Sequence, residues 1–323
     1  MITRLFGAFF NWGDSLGVSN KNLTKAKISK DDEFYTLYDD IVNELGYYKQ
    51  YLDGKVVYCN CDNPLFSQFW RYFHLNFTDL GLKGLIATYY DEYNKASRVD
   101  YWGGCDDDIL NGKYTHISNF GDMLSEECKG ILLEADILIT NPPFTLFRKL
   151  LGTLVELGKD FILVGNRNSV VSKQLFSLIK DNKVRIGYSR IRKFLRPDGN
   201  TEDLGNVCWY TTLPVDRKPL ELTRSYYKWG DSFTEEYIEY DNYNAIEVGK
   251  LVDIPVDYFG VMGVPITFID KHCQDQFKIV GLARGIRSSS IPLDLKLSEG
   301  ELGGSGEIRG RRLYARILIC RNH

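Results

Sequence analysis

Ala135-Asp136-Ile137-Leu138-Ile139-Thr140-Asn141-Pro142-Pro143-Phe144 decides how this chain is read. Its first six residues make a short apolar run of the kind that forms a buried parallel strand. The last four set a polar residue, two prolines and an aromatic ring at the carboxyl end of that strand. Such a segment makes poor core and a good binding corner, because open α/β sheets hold ligands beyond the carboxyl ends of their strands. The Asn141 side-chain oxygen and the Pro142 carbonyl can both accept hydrogen bonds from one NH2 group. The prolines fix that geometry, since each locks its own φ and restricts the residue before it. Phe144 offers a face on which a base can stack. The chemistry that suits this corner is methyl transfer to a planar amine. Asn-Pro also opens ordinary turns, but here a strand precedes it and a helix follows.

Outward from this point, strands and helices alternate. Helical spacing of Leu37, Ile41, Leu45 and Tyr48 predicts a first helix. Residues 55–60 read as a buried strand ending near Cys61-Asp62. Residues 67–80 read as an aromatic helix whose rings are core, and 82–89 as another strand. The polar, Gly-rich segment 91–118 reads as loop or a small hairpin. Residues 125–134 form a short helix with Ser125 as N-cap and two glutamates in its first turn. After the strand before Asn141 come a helix over 146–157 stopped by Gly158, a strand over 161–164, a helix over 172–180, and strands over 184–188 and 207–213. This alternation predicts a doubly wound α/β sheet. Beyond Pro214 it ceases, so residues 215–323 read as a second, less regular region. Residues 1–24 read as an irregular extension, and the stretch 298–306 as a Gly/Ser-rich loop.

With 323 residues, ordinary apolar and charged fractions and no apolar run near the ~20 residues of a membrane span, the chain reads as a soluble cytoplasmic protein. Its apolar start lacks a signal peptide's full core and cleavage site. Seven scattered cysteines and four scattered histidines give no metal constellation, and none is expected. A net charge of -3 does not mark a nucleic-acid binder, but local distribution matters more than the sum. Residues 183–196 hold six basic residues and no acid, and residues 309–321 hold Arg309, Arg311, Arg312, Arg316 and Arg321 with no acid. Both runs are candidates for phosphate contact, against the plainer reading of solvated surface.

Together these stretches resemble the EcoRI-type adenine-specific DNA methyltransferases. The resemblance runs from residue 25 onward. It is carried by Asp32-Glu33-Phe34-Tyr35-Thr36, by Val56-Val57-Tyr58-Cys59-Asn60-Cys61-Asp62 with Pro64, and by Gly81-Leu82-Lys83-Gly84-Leu85-Ile86-Ala87. Asn141-Pro142-Pro143-Phe144, Tyr240-Asp241-Asn242-Tyr243 and Gly260-Val261-Met262-Gly263-Val264-Pro265-Ile266-Thr267-Phe268 complete it. It implies a Rossmann-like sheet that uses S-adenosylmethionine to methylate the N6 of a flipped adenine in double-stranded DNA. The catalytic domain would span 25–214 and the target-recognition region 215–323. A single copy would carry every part, so a monomer is expected.

The catalytic residues are then Asn141, Pro142, Pro143 and Phe144. For the cofactor the candidates are Tyr35, Thr36, Asn60, Asp62, Asp91 and Asp122. Thr36 stands where related enzymes hold the methionine carboxylate, and it would also serve as a helix N-cap. Asp62 would receive the cofactor's amino group or ribose, or act as a turn residue before Asn63-Pro64. Asp122 would accept the cofactor's adenine amine, or cap a helix. The Gly-x-Gly loop usual after the first strand is missing, and Cys59-Asn60-Cys61-Asp62 stands there instead. Asn242, Asn244, Arg284 and Arg287 are candidates for reading base edges. The competing readings are an RNA exocyclic-amine methyltransferase and a non-catalytic DNA-binding decoy of the same fold. A dehydrogenase is disfavoured, because no Gly-x-Gly-x-x-Gly follows a first strand.

Overall fold

A computed structural model describes residues 35–91, 96–196, 199–226, 237–284 and 305–322. The expectations for residues 1–34, for Arg287 and for most of 298–306 lie outside the described residues. The chain adopts a mixed α/β fold built on a large mixed sheet, and it divides into two compact units. The first comprises Met1–Asn166 and Ser189–Trp209, the second Arg167–Tyr188 and Tyr210–His323.

The large sheet has nine strands. In chain order they are β1 (Tyr35–Thr36), β2 (Val56–Cys59), β3 (Gly84–Thr88), β4 (Ser97–Tyr101), β5 (Lys113–His116), β6 (Ile137–Thr140), β7 (Asp160–Asn166), β8 (Arg185–Leu195) and β9 (Thr201–Thr211). Their spatial order is β1-β8-β9-β7-β6-β2-β3-β4-β5. The central pairs β7–β6, β6–β2 and β2–β3 are parallel, while β3–β4, β4–β5 and β1–β8 are antiparallel. Strands β2, β3 and β6 are buried along their whole length, as their unbroken apolar runs require. The chain leaves β2 on one side toward β3 and returns on its other side at β6. That reversal makes the β2–β6 boundary the switch point, where such sheets open a crevice at the carboxyl ends.

Among the described residues of the first unit the α-helices are α1 (Tyr38–Leu45), α2 (Gln68–Leu75), α3 (Glu126–Glu134) and α4 (Phe147–Glu156). Ser67 caps α2 by accepting from the Trp70 amide, and Ser125 caps α3 by accepting from the Cys128 amide. The α2 rings of Phe69, Trp70, Tyr72 and Phe73 are all buried, so they are core.

Of the two readings of the polar segment 91–118, loop or hairpin, the structure shows the hairpin, β4–β5, which extends the sheet. The structure departs from the linear reading in two places. Strands β8 and β9 are 11 residues each, longer than the apolar stretches that mark them. The C-terminal residues form a four-stranded sheet of β10 (Ile246–Glu247), β11 (Met262–Pro265), β12 (Phe277–Ala283) and β15 (Arg316–Arg321). A small hairpin, β13 (Glu307–Ile308) with β14 (Arg311–Arg312), stands beside it in sequence. The second unit also holds helix α5 (Lys173–Lys180) and a buried ion pair, Arg167 to Asp270 at 2.9 Å. No helix among the described residues is long and apolar enough to cross a membrane.

The switch-point strands are tied at their amino ends by Asp136, whose Oδ2 accepts from the Val56 amide at 2.8 Å while its own amide donates to the Val56 carbonyl. Asp136→Ala is expected to lower the unfolding free energy by about 1 kcal/mol, with Asp136→Asn retaining an acceptor and most of that stability. Urea denaturation of the two variants checks this.

Candidate active site

The carboxyl ends of β2, β3 and β6 meet at one residue. After β2 stops at Cys59, the chain turns through Asn60 and Cys61 to Asp62, which is 7 % exposed. One carboxylate oxygen accepts from the Ser67 hydroxyl at 2.6 Å, the other from the Thr140 hydroxyl at 2.7 Å, and the Asp62 amide donates to the Thr88 carbonyl at 3.0 Å. Asp62 thereby joins the end of β6 to the end of β3 and orients the serine that caps α2. Burial pushes its carboxyl up to about 6, against the opposing effect of the Ser67 and Thr140 hydroxyls and a backbone hydrogen bond at Cys61. Asn60 is buried beside it, and its side-chain oxygen accepts weakly from the Cys61 thiol at 3.4 Å.

Asn141 follows Thr140 directly. Pro142 is buried, and Asn141, Pro143 and Phe144 are half-buried. The Pro143 carbonyl accepts from the amides of Leu146 and Phe147 at 2.9 and 3.1 Å, so Pro143 closes the turn that leads into α4. The bonds of that turn thus fall on Pro143 and not on the Pro142 carbonyl. The Phe144 ring meets Phe194 edge to face, with centroids 6.5 Å apart.

Phe194 leads to Thr36, its partner in the β1–β8 ladder, with Tyr35 opposite Leu195. Thr36 does not cap α1. Leu37 holds the cap position with no side-chain hydrogen bond, and the Thr36 Oγ1 is buried with no hydrogen-bond partner. A buried hydroxyl left unpaired costs stability, so its retention asks for a ligand. The turn that replaces the Gly-x-Gly loop gives a complementary answer. The amides of Leu65, Phe66 and Ser67 all donate to Asn63, to its side chain or its carbonyl, at 3.0, 2.9 and 2.8 Å. Those amides are therefore spent on the turn itself and are not the donors that a glycine loop would turn toward an anion.

Beyond β3, the Asp91 amide donates to the Phe120 carbonyl at 2.9 Å. Asp122 is exposed; its side chain accepts from the Leu124 amide at 3.0 Å and its carbonyl from Ser125, so it also shapes the approach to α3. Between them stands a residue that sequence reasoning missed. Phe120 has φ 57°, which is rare for a bulky residue, and is 47 % exposed. Gly121 follows with φ +74°, and a β-carbon there would come within 2.1 Å of the Tyr89 carbonyl. The strained pair holds an aromatic face out of the core. The only signal in the sequence is an aromatic beside a glycine within a polar stretch.

The candidate residues lie along pairings and contacts, Thr36 with Phe194, Phe194 with Phe144, Thr140 with Asp62, Asp62 with Thr88, and Asp91 with Phe120, joined by short stretches of chain that carry Tyr35, Asn141, Asn60 and Asp122. They follow one edge of one sheet within the first unit. Among the described residues no group of three or more His, Cys, Asp or Glu could hold a metal ion.

The basic and polar residues marked for DNA divide differently. Arg192 and Lys193 are exposed on β8. Within the second unit, Arg316 makes a bidentate pair with Glu247 at 2.8 Å, Arg312 pairs with Glu307, and Arg321 lies over the Phe259 ring. Asn242 spends its side chain on the Ser305 carbonyl and the Glu307 amide, and Arg284 donates to the Val171 carbonyl. These hold the fold. Arg309, Arg311 and Asn244 stay exposed.

A model of the family described as "Adenine-specific methyltransferase EcoRI" matches residues 22–322. The chain is 40% identical to the Type II methyltransferase M.EcoRI of Escherichia coli, over 93% of this chain and 96% of that one. It is 31% identical to the Type II methyltransferase M.MpnI of Mycoplasma pneumoniae over 91% of this chain and 96% of that one. With the Type II methyltransferase M.MgeORF184P of Mycoplasma genitalium the identity is 29%, over 92% and 98%. No solved structure matches.

The raised Asp62 carboxyl has a consequence for stability. Between its ordinary value of 3.8 and about 6, the folded protein keeps a proton that the unfolded chain has released. The stability this proton contributes is fully present below pH 3.8 and is lost as pH rises through about 6, a change on the order of 3 kcal/mol. Asp62→Asn is expected to remove that slope. Chemical denaturation at pH 5 and pH 7 checks it, through a smaller difference between the two pH values in the variant than in the wild type.

Proposed function

The chain belongs to the adenine-specific methyltransferase EcoRI family, and from that premise we propose that it is a site-specific DNA adenine-N6 methyltransferase using S-adenosylmethionine. The observation that carries the reading is the intact Asn141-Pro142-Pro143-Phe144 segment at the carboxyl end of β6, on the switch-point edge of the sheet. Three relatives named Type II methyltransferases favour duplex DNA over RNA as substrate.

The target adenine leaves the helix, because an amine inside a base pair cannot reach a reacting centre. Asn141 Oδ1 and the Pro142 carbonyl accept from its N6 amine and aim the nitrogen lone pair. Phe144, braced by Phe194, stacks on the extruded base; such stacking is worth about 1–3 kcal/mol and offsets much of the cost of flipping. When bound, S-adenosylmethionine supplies a methyl group activated on a sulfonium. Positioning contributes most of the rate, and no metal is needed in this scheme. Pro143 keeps the loop rigid through its bonds to the start of α4.

The residues along the edge fit this cofactor. The unpaired Thr36 hydroxyl would donate to its carboxylate, with Tyr35 beside it. Asp62, next to Asn60, would hold its cationic portion, a charge that would favour the ionised carboxylate. Asp122 and Asp91 would take its adenine amine and ribose, and Phe120 would offer its ring to the adenine. The sheet is read as Rossmann-like, with residues 25–214 catalytic and 215–323 recognising the target. The enzyme is taken to act as a cytoplasmic monomer, and the Type II label of its relatives points to a restriction–modification setting.

Incubation of the purified protein with labelled S-adenosylmethionine and either duplex DNA or RNA tests the reading. Label is expected in DNA adenine and not in RNA; the reverse would sink it. Thr36→Val is expected to weaken cofactor binding about ten-fold, the worth of one hydrogen bond to a charged group, while the protein becomes no less stable because an unpaired hydroxyl is lost. Calorimetric titration and a thermal melt give the two readouts.

A further inference from the structure

One hairpin of the second unit is held by side chains whose role the catalytic scheme leaves unexplained. Strands β13 and β14 have two residues each, and Arg309-Gly310 joins them. Both joining residues have positive φ, 52° at Arg309 and 69° at Gly310. That is the primed turn whose twist suits a hairpin, and its first position favours Asn, Asp or Gly. An arginine pays a steric cost there, because its β-carbon crowds the following carbonyl.

The turn is anchored from below. The Gly310 amide donates to Asp241 Oδ2 at 2.8 Å, the Asp241 amide donates to the Glu307 carbonyl, and Asn242 brackets Ser305 and Glu307. Ile308 and Leu313 pack on the buried cluster of Tyr240, Tyr243 and Leu318. Arg312 is tied to Glu307. Fixing the hairpin in this way leaves Arg309, Arg311 and Tyr314 exposed, Tyr314 by 70 %. A strained arginine at the tip of a clamped turn, serving no contact that holds the fold, points to a ligand.

We propose that this hairpin enters the major groove of the DNA substrate, with Arg309 reading a guanine edge and Arg311 and Tyr314 contacting the adjoining backbone. This rests on the reading above that duplex DNA is the substrate. The major groove admits a two-stranded ribbon, and an arginine forked onto guanine O6 and N7 is its commonest specific contact. Phosphate contacts from the flanking residues would set the register. Asp241 and Asn242 are then positioning residues, holding the reader rather than touching DNA.

Arg309→Gly separates reading from folding, since glycine suits the turn and removes only the side chain. With the full-length protein and a duplex that the wild type methylates, fluorescence anisotropy is expected to show a loss of affinity of about ten-fold to a hundred-fold, the range of one bidentate base contact. The melting temperature is expected to hold or rise, and S-adenosylmethionine binding to stay unchanged. Arg309→Lys keeps a charge and loses the fork, so it is expected to methylate additional sequences while its salt dependence stays that of the wild type. An active wild type beside an Arg309→Gly variant that binds and methylates the same duplex equally well overturns this inference and leaves the methyltransferase reading intact. So does a variant that melts earlier, which would make Arg309 structural. A wild type that methylates no DNA overturns both.

Discussion

Asp62 is the constraint on which the site depends. Three parallel strands end at one edge, and nothing in strand pairing fixes the turns beyond them. Asp62 does so with one carboxylate, bonding the hydroxyl that precedes Asn141 and the hydroxyl that caps α2. At the opposite ends of the same two strands, Asp136 makes the matching tie to Val56. The two ties differ in chemistry. Asp136 is exposed, whereas Asp62 is buried, where its charge is costly. A neutral residue could join two hydroxyls at less cost. A carboxylate pushed toward neutrality by burial gains most from a cation placed beside it, which is what a methyl sulfonium with an ammonium group would bring.

The same logic organises the rest of the edge. Thr36 keeps an unpaired hydroxyl, Phe120 keeps a strained backbone and an exposed ring, and Asn63 absorbs the amides that a glycine loop would offer. Each is a local departure from the most stable choice, and such departures concentrate where function is built. Where a glycine loop would offer amides after β2, the turn uses them itself, and the Thr36 hydroxyl at β1 is left unpaired.

How much of this was legible depended on whether the signal was local. The apolar runs of β2, β3, β6 and β7 announced themselves, as did the Ser125 cap and the Asn-Pro-Pro-Phe corner, because each is decided within a few residues. The hairpin β4–β5 stood only as one of two readings, loop or hairpin, since Lys113–His116 is wholly exposed and carries no apolar run. The C-terminal sheet hid because β15 pairs with β12 at separations of 33–44 residues and with β11 at 51–57, with no local periodicity to announce it. Within the arginine run over 309–321 the sequence could not tell Arg316 from Arg309 and Arg311 for the same reason: the acid that occupies Arg316 lies at Glu247, 69 residues earlier. Whether Thr36 caps a helix or Phe120 adopts a left-handed backbone is settled by tertiary packing, which no spacing rule reports. The Tyr240-Asp241-Asn242-Tyr243 motif stood out in sequence, but only the structure shows it as the clamp beneath a hairpin.

If the corner beyond β6 directs methyl transfer to adenine in DNA, the methylation must depend on Asn141. Long-read sequencing of DNA from cells expressing the wild type, beside cells expressing Asn141→Ala, tests it most directly. N6-methyladenine is expected at the copies of one short motif in the first and none in the second. Unmodified adenine with a folded, cofactor-binding wild type, or the same modification in both, would contradict it.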